Sequence, residues 1–276
     1  MTYLDALILG IVEGLTEFLP VSSTGHLIVA SNFLGLAQNN FLEMFEIFIQ
    51  LGAILAVVLL QRKKIIHTLC NLKEKSARNF ALNIIIATIP AVILGLFFSQ
   101  FFKDYFFNSV SVAIALIIGG FIILLVDKPQ NVQIIQPNDS DNYADINNMS
   151  LKTALQIGIL QCLALIPGVS RSGATIIGGM YLGLPRIVAT SFSFFLAIPI
   201  IFGASLHDVV KYKSELNPNN IILLLIGSIV GFATAWICIK WLIKYVATHS
   251  FISFAWYRII FGLILIGLYF MNILSI

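Results

Sequence analysis

Two short polar stretches in an otherwise apolar chain carry the side chains that could do chemistry. In the first, Glu13 and Glu17 are four residues apart, a spacing that places both carboxylates on one face of a helix. Two acids so placed repel each other unless a cation lies between them or one keeps a proton. Carboxylate oxygens suit a divalent ion such as Mg²⁺ or Ca²⁺, although an arginine would serve as well. We therefore predict a divalent cation at Glu13 and Glu17.

The same stretch continues through Pro20 into a cluster of hydroxyl residues and a histidine. The proline ends one helix and the hydroxyl cluster begins the next, where exposed backbone N–H groups can bind an anion. Acids, hydroxyls and an imidazole so close together supply a nucleophile, a base and metal ligands for acyl or phosphoryl transfer. The predicted catalytic residues are Glu13, Glu17, Ser23 and His26, and the predicted binding residues of this stretch are Ser22 and Thr24.

The second polar stretch, residues 167–175, contributes a cation where the first contributes acids. Arg171 lies in a glycine-flanked loop, and its guanidinium can hold two phosphate oxygens at once. The simpler alternative is an arginine that extends to the membrane interface. Arg258 lies about 10 Å into the last apolar segment, beside aromatic residues that are also typical of an interface. The predicted substrate-binding residues of this half are Ser170, Arg171, Ser172, Thr175 and Arg258.

The elements that must position these residues are membrane helices. The chain is 59% hydrophobic and 11% charged, whereas soluble domains are about 25% charged. Its net charge of +3 comes without a basic stripe with interleaved aromatic residues, which excludes nucleic acid as a partner. Six stretches approach the length of about 20 apolar residues that crosses a bilayer. They are roughly residues 43–60, 80–101, 109–126, 186–206, 220–243 and 251–274.

The two regions that contain the polar motifs, residues 3–36 and 151–185, are apolar but broken near the middle by Pro, Gly and Ser. Each arm is too short to cross a bilayer alone. Irregular backbone at membrane depth is tolerated only where protein or a water-filled cavity surrounds it. We predict that both regions are re-entrant helix pairs.

These two regions also resemble each other, because an offset of 148 residues places Gly10, Ser22 and Gly25 on Gly158, Ser170 and Gly173. Each half then holds one re-entrant pair and three spans, and an odd number of spans inverts the second half. The predicted fold is an all-α polytopic membrane protein with six transmembrane helices and two re-entrant helix pairs in an inverted-topology repeat. Its parts are residues 1–126, a polar linker at 127–150, and residues 151–276.

The loop charges predict the orientation, since Lys and Arg accumulate on the cytoplasmic side. When the 62–78 loop is placed inside, 11 basic residues lie at the inner face, and Lys103, Lys211 and Lys213 lie outside. The first motif then opens towards the outer, periplasmic side.

Both motifs resemble those of a known family. Residues 13–26, from Glu13 to His26, are similar to the first signature of the BacA-type undecaprenyl-diphosphate phosphatases, and residues 167–175 are similar to the second. The resemblance extends over the whole chain in length, hydropathy and motif order. It implies hydrolysis of a C55 polyprenyl diphosphate to the monophosphate and inorganic phosphate in the bacterial cytoplasmic (inner) membrane. It also implies recycling of the cell-wall lipid carrier and resistance to bacitracin; a homo-oligomer is left open.

Alternatives remain for the mechanism and for the function. In one mechanism Ser23 attacks the phosphorus while His26 or a glutamate takes the proton. In the other, water attacks the phosphorus directly, with His26 or Glu17 as the base. An inverted repeat with two broken helices is also the architecture of a secondary transporter or lipid flippase. The other superfamily of membrane lipid phosphatases does not fit, because the next histidine after Arg171 is His207, beyond a span.

Overall fold

A computed structural model of the chain describes residues 1–106, 108–128 and 146–271, apart from the side chains at positions 99, 100, 103 and 104. The described residues form helices and no strand. In chain order the helices are α1 (Tyr3–Thr16), α2 (Ser23–Phe33), α3 (Asn40–Leu60), α4 (Arg62–Cys70), α5 (Lys75–Phe106), α6 (Ser109–Val126), α7 (Leu151–Gln161), α8 (Arg171–Tyr181), α9 (Arg186–Lys211), α10 (Pro218–Thr248) and α11 (Ile252–Phe270), with short 3-10 turns at Cys162–Leu165 and Lys213–Glu215.

Six of these helices, α3, α5, α6, α9, α10 and α11, are long and apolar enough to cross a membrane. They match the six predicted spans, so the prediction of an all-α polytopic membrane protein is confirmed. Most of the predicted 127–150 linker, the end of the predicted last span and the side chain of Lys103 lie outside the described residues.

The two motif regions fold as pairs of short helices, each broken at its polar motif. Helices α1, α2, α7 and α8 have 14, 11, 11 and 11 residues, fewer than the roughly 20 that a bilayer requires. Helix α1 packs against α10, and α7 packs against α5. The breaks and the short arms follow the sequence prediction, while the re-entrant path through a membrane stays a prediction.

Close helix contacts at two glycines hold the short helices against the long ones. A Cβ atom at Gly10 would lie 2.6 Å from the carbonyl oxygen of Gly227, and one at Gly158 would lie 2.4 Å from that of Ala87. Membrane helices associate through such small residues because lipid supplies little hydrophobic driving force between them. The helices that lead into the two motifs are therefore fixed against α10 and α5.

The basic loops gather at one end of the helix bundle. Asp127 forms a buried ion pair with Arg186 and accepts a hydrogen bond from the backbone N–H of Phe251. Lys64 donates to the side-chain oxygen of Asn147 at 2.6 Å. An apolar cluster that includes Ile65, Phe80, Ile146 and Val188 joins these groups.

Candidate active site

The two motifs, far apart in the chain, meet at the carboxylate of Glu17. Ser23 Oγ donates a hydrogen bond to Glu17 Oε2 at 2.6 Å. Arg171 donates to the other oxygen, Oε1, from Nη2 at 3.1 Å and from Nε at 3.3 Å. The ion pair is enclosed, with 8% of the Glu17 side chain and 11% of the Arg171 side chain exposed. The guanidinium therefore orients a carboxylate whose second oxygen is bonded to a hydroxyl, which is the arrangement of a nucleophile and its base.

Ser193 on α9, which was not predicted from the sequence, holds Arg171 in this position. Arg171 Nη1 donates to the backbone oxygen of Ser193 at 3.0 Å, and Thr175 Oγ1 donates to Ser193 Oγ at 2.7 Å. Serines within helices commonly bond to their own backbone, so sequence offers no signal that separates this residue from its neighbours.

Both motif helices begin with the same local structure. Ser22 and Ser170 have positive φ angles of 72° and 74°, a conformation that is uncommon for residues other than glycine. Each serine caps its helix by accepting a hydrogen bond from the backbone N–H of Gly25 at 3.3 Å or Gly173 at 3.0 Å. The cap residues and the first residues of α2 and α8 line one cavity. Two positive helix ends therefore face the place where an anion would bind.

The second break is tied to the first through serine hydroxyls. Ser172 Oγ donates to the carbonyl oxygen of Leu19 at 2.7 Å. Since that uses the only hydroxyl hydrogen of Ser172, Ser170 is the donor in the 2.9 Å contact between the two hydroxyls. Ser172 and Thr175 are fully buried. Both lie outside the cavity wall, unlike Ser22, Thr24, Ser170 and Arg171.

Arg258 joins the two breaks rather than facing the cavity. Its five N–H groups donate to five backbone carbonyls at 3.0–3.3 Å. Since a guanidinium has five N–H donors, these contacts commit all of them. The side chain is 1% exposed, so we now place Arg258 as a support for the loops, not as a direct phosphate ligand. The carbonyls are those of Pro20, Ala115, Leu116, Gly168 and Val169.

His26 points away from the Glu17 cluster. Its Nδ1 lies 2.7 Å from the carbonyl oxygen of Ser22, and its Nε2 lies 2.6 Å from the hydroxyl of Tyr257. Because a carbonyl only accepts, Nδ1 carries the hydrogen, and in the neutral ring Nε2 accepts from the tyrosine. The ring stacks on Phe261 with 4.5 Å between the ring centroids. Of the two predicted proton carriers, the structure brings Glu17 to Ser23 and leaves His26 outside the cavity wall.

Glu13 supplies two oxygens that suit a metal ion. Its side chain is fully buried, and neither carboxylate oxygen accepts a hydrogen bond from a described residue. The charged groups that act on it are Glu17, Glu46 and Arg171. Within the described ranges, no three His, Cys, Asp or Glu side chains are arranged to hold a metal. The two carboxylates fit an ion such as Mg²⁺, which is often bound by one or two carboxylates together with water and substrate phosphate.

A cavity of about 450 Å³ extends from this cluster. Its polar end contains Glu17, Ser23 and Arg171, and its walls continue along α5 and α9 with mostly apolar residues. It reaches His207 and Lys211 at the far end of α9. Neither these two residues nor Gln50 and Gln161 in the cavity wall were predicted from the sequence. For Gln161 a signal existed, since the offset of 148 residues pairs it with Glu13.

Comparison with known proteins assigns the chain to a family. The family model described as bacitracin resistance protein BacA matches residues 6–264. The chain belongs to this family. A protein named undecaprenyl-diphosphatase 1 from Chromobacterium violaceum is 49% identical over 263 residues, which is 95% of this chain and 94% of that protein. Undecaprenyl-diphosphatase 1 from Burkholderia lata is 50% identical over 94% of this chain and 92% of its own length.

We expect Arg258→Lys to lower both the thermal stability and the activity of the protein. A lysine ammonium cannot reach five carbonyls spread over three segments, and each buried carbonyl left unpaired costs about 1–3 kcal/mol. The measurements are the unfolding temperature in detergent and the rate of phosphate release.

Arg62→Lys is the matched control, because Arg62 is exposed and makes one hydrogen bond, at 3.3 Å, to the Leu59 carbonyl. Equal stability and activity of the two variants would contradict the supporting role of Arg258.

Proposed function

We propose that the protein hydrolyses undecaprenyl diphosphate to undecaprenyl phosphate and inorganic phosphate within the membrane. The observation that carries this proposal is the Ser23–Glu17–Arg171 cluster at the meeting point of two helix starts. The family and the names of its relatives support the substrate. A secondary transporter or lipid flippase is not favoured, because binding alone does not require a hydroxyl bonded to a carboxylate.

In the mechanism that the geometry favours, Ser23 is the nucleophile and Glu17 is the base. Glu17 Oε2 takes the hydroxyl proton as Ser23 Oγ forms a bond to the terminal phosphorus. The bond from that phosphorus to the bridging oxygen breaks, and undecaprenyl phosphate leaves. Water then attacks the phosphorus of the phosphoserine, the Oγ–P bond breaks, and Glu17 returns its proton to Ser23 Oγ as inorganic phosphate leaves with the atoms of the water.

The remaining groups of the site neutralise charge and position the diphosphate. Arg171 and the first N–H groups of α2 and α8 hold phosphate oxygens, as phosphoryl transfer requires. Glu13 and Glu17 would hold a divalent ion, which when bound reduces the negative charge of the phosphates. Direct attack by water, with Ser23 only binding phosphate, is the competing mechanism.

We also propose that the cavity opens to the outer side of the bacterial cytoplasmic membrane. Arg186, at the start of α9, belongs to the basic end of the bundle, while Lys211, at the other end of α9, lies at the far end of the cavity. A helix of 26 residues is about 39 Å long at the α-helical rise. With the basic end inside, the cavity opens outside.

The inverted repeat is part of the same proposal. The equivalent pairs Ser22 and Ser170, at an offset of 148 residues, share a positive φ and the same capping bond. Gly35 and Gly183, with φ angles of 66° and 93°, end α2 and α8 in the same way. The packing of α1 on α10 corresponds to that of α7 on α5. These parallels support two related halves around one site.

The first isoprene units of the substrate are placed in the apolar part of the cavity, between α5 and α9. Gly95 on α5 and Gly203 on α9 both line the cavity there, and a Cβ atom at Gly203 would meet nothing within 4 Å. Val92 and Leu96 beside them are exposed. The chain therefore has a route from the polar end of the cavity into the bilayer.

The proposed activity predicts phosphate release from undecaprenyl diphosphate by the purified, lipid-supplemented protein. EDTA should abolish the release and added Mg²⁺ or Ca²⁺ should restore it. Glu17→Gln and Arg171→Ala should each lower the rate by about a hundredfold or more, since each removes a group that acts in the transition state.

Glu74→Ala and Arg78→Ala change the same residue types at exposed positions and should keep the wild-type rate. A folded wild-type protein that releases no phosphate would contradict the proposed function and turn attention to transport.

Ser23→Ala should abolish activity if Ser23 is the nucleophile. With substrate labelled in the terminal phosphate, acid quenching of the wild type should recover labelled protein, and Ser23→Ala should recover none. Ser253→Ala, on the exposed side of α11, is the matched control. A rate close to that of wild type in Ser23→Ala would eliminate the covalent mechanism in favour of attack by water.

Gly203→Leu should reduce kcat/KM for undecaprenyl diphosphate by about tenfold, because a bulkier wall in an apolar pocket costs about 1–3 kcal/mol of binding. Hydrolysis of inorganic diphosphate, which carries no isoprenoid chain to meet the leucine, should be unchanged. Gly267→Leu is the control, since Gly267 is exposed on α11 with nothing within 4 Å of a Cβ. Equal loss on both substrates, or no loss on either, would argue against this route for the tail.

A further inference from the structure

Gln161 is a buried polar side chain that the proposed mechanism leaves without a role. It is 2% exposed and forms part of the wall of the cavity that contains Glu17, Ser23 and Arg171. Neither its amide nitrogen nor its amide oxygen has a hydrogen-bond partner among the described residues. A buried amide without partners costs free energy that an apolar residue of similar size would avoid.

The local structure fixes the backbone from which the Gln161 side chain projects. Helix α7 ends at this residue, and the chain tightens into the 3-10 turn Cys162–Leu165. Three residues earlier, Gly158 lies directly against the backbone of Ala87, where a Cβ would be 2.4 Å from the carbonyl oxygen. A helix seated this closely cannot rotate or slide without a backbone clash. The backbone that carries this amide is therefore held at the wall of the cavity.

The charges of the site explain why a neutral donor suits this position. Arg171 and two helix starts already supply positive charge, and Glu13 and Glu17 supply negative charge. An amide adds directional hydrogen bonds without changing this balance. Glu17 and Ser23 are almost as buried, at 8% and 7%, and all three side chains line the same cavity.

We propose that Gln161 is a substrate-binding residue whose side-chain N–H₂ donates to an oxygen of the terminal phosphate. Its amide oxygen accepts a hydrogen bond from water that accompanies the substrate. This assignment rests on the proposed phosphatase activity, and it adds to the site a ligand from the second half of the chain. The hydrogen bonds of the Gln161 amide are then satisfied only when the substrate is bound.

The test is Gln161→Leu, which removes the hydrogen-bonding groups and keeps the approximate volume. We expect kcat/KM for undecaprenyl diphosphate to fall by about a hundredfold, as when one donor to a transition-state oxygen is removed. The inhibition constant of inorganic phosphate should rise. The unfolding temperature should stay the same or increase, since the variant no longer buries an unpaired amide. Gln156→Leu, half-buried on the same helix and outside the cavity wall, should change none of these quantities.

Gln161→Glu separates a binding role from a structural one. A protonated carboxyl can still donate to phosphate, whereas a carboxylate repels it, so the activity of this variant relative to wild type should fall as the pH rises. Loss of stability in Gln161→Leu together with a pH profile of Gln161→Glu parallel to that of wild type would overturn the assignment. Wild-type activity in Gln161→Leu would also overturn it and leave the phosphatase proposal intact. Absence of phosphate release from wild type itself would instead remove the proposed function.

Discussion

The rest of the structure depends on the hydrogen bonds that Arg258 donates to backbone carbonyls at the two helix breaks. A helix broken inside a membrane leaves carbonyl groups without N–H partners, and no water is available to replace them. A guanidinium buried there is equally costly unless every donor is used. The N–H groups of Arg258 donate to these free carbonyls, so each satisfies the hydrogen bonding of the other. The carbonyls are those of Pro20 in the first break and of Gly168 and Val169 in the second. Gly119 makes room for this, since a Cβ there would lie only 2.1 Å from the Arg258 guanidinium.

The chemistry of the site follows from this support. Once the breaks are fixed together, Ser22 and Ser170 can keep backbone angles that are otherwise unfavourable, and their helices start at the same cavity. The first half of the chain then supplies a carboxylate and a hydroxyl, and the second half supplies the guanidinium that orients the carboxylate. Neither half is a complete site. This division explains why two motifs 154 residues apart, as measured from Glu17 to Arg171, must be read together.

Contacts between the apolar helices also position the two motifs. Tight contacts at Gly10 and Gly158 seat the short helices against α10 and α5, where their polar ends are covered by protein. Open space at Gly203 has the opposite effect and leaves part of the cavity wall along α9 unfilled. At Gly10 and Gly158 the missing side chain lets two helices approach closely, whereas at Gly203 it leaves the cavity open. The membrane helices provide both a rigid frame for the polar site and an apolar cavity beside it.

The sequence by itself determined that the protein lies in a membrane, where its six spans and two helix breaks fall, and which residue types carry charge. Each of these depends on composition or on local spacing, which do not change on folding. Only the tertiary structure decided which groups meet. It placed Glu17 rather than His26 on Ser23, and turned Arg258 from a predicted phosphate ligand into a backbone support. It also revealed Ser193 and Gln161. The physical reason is that these contacts join residues distant in the chain, so their partners depend on how the helices pack.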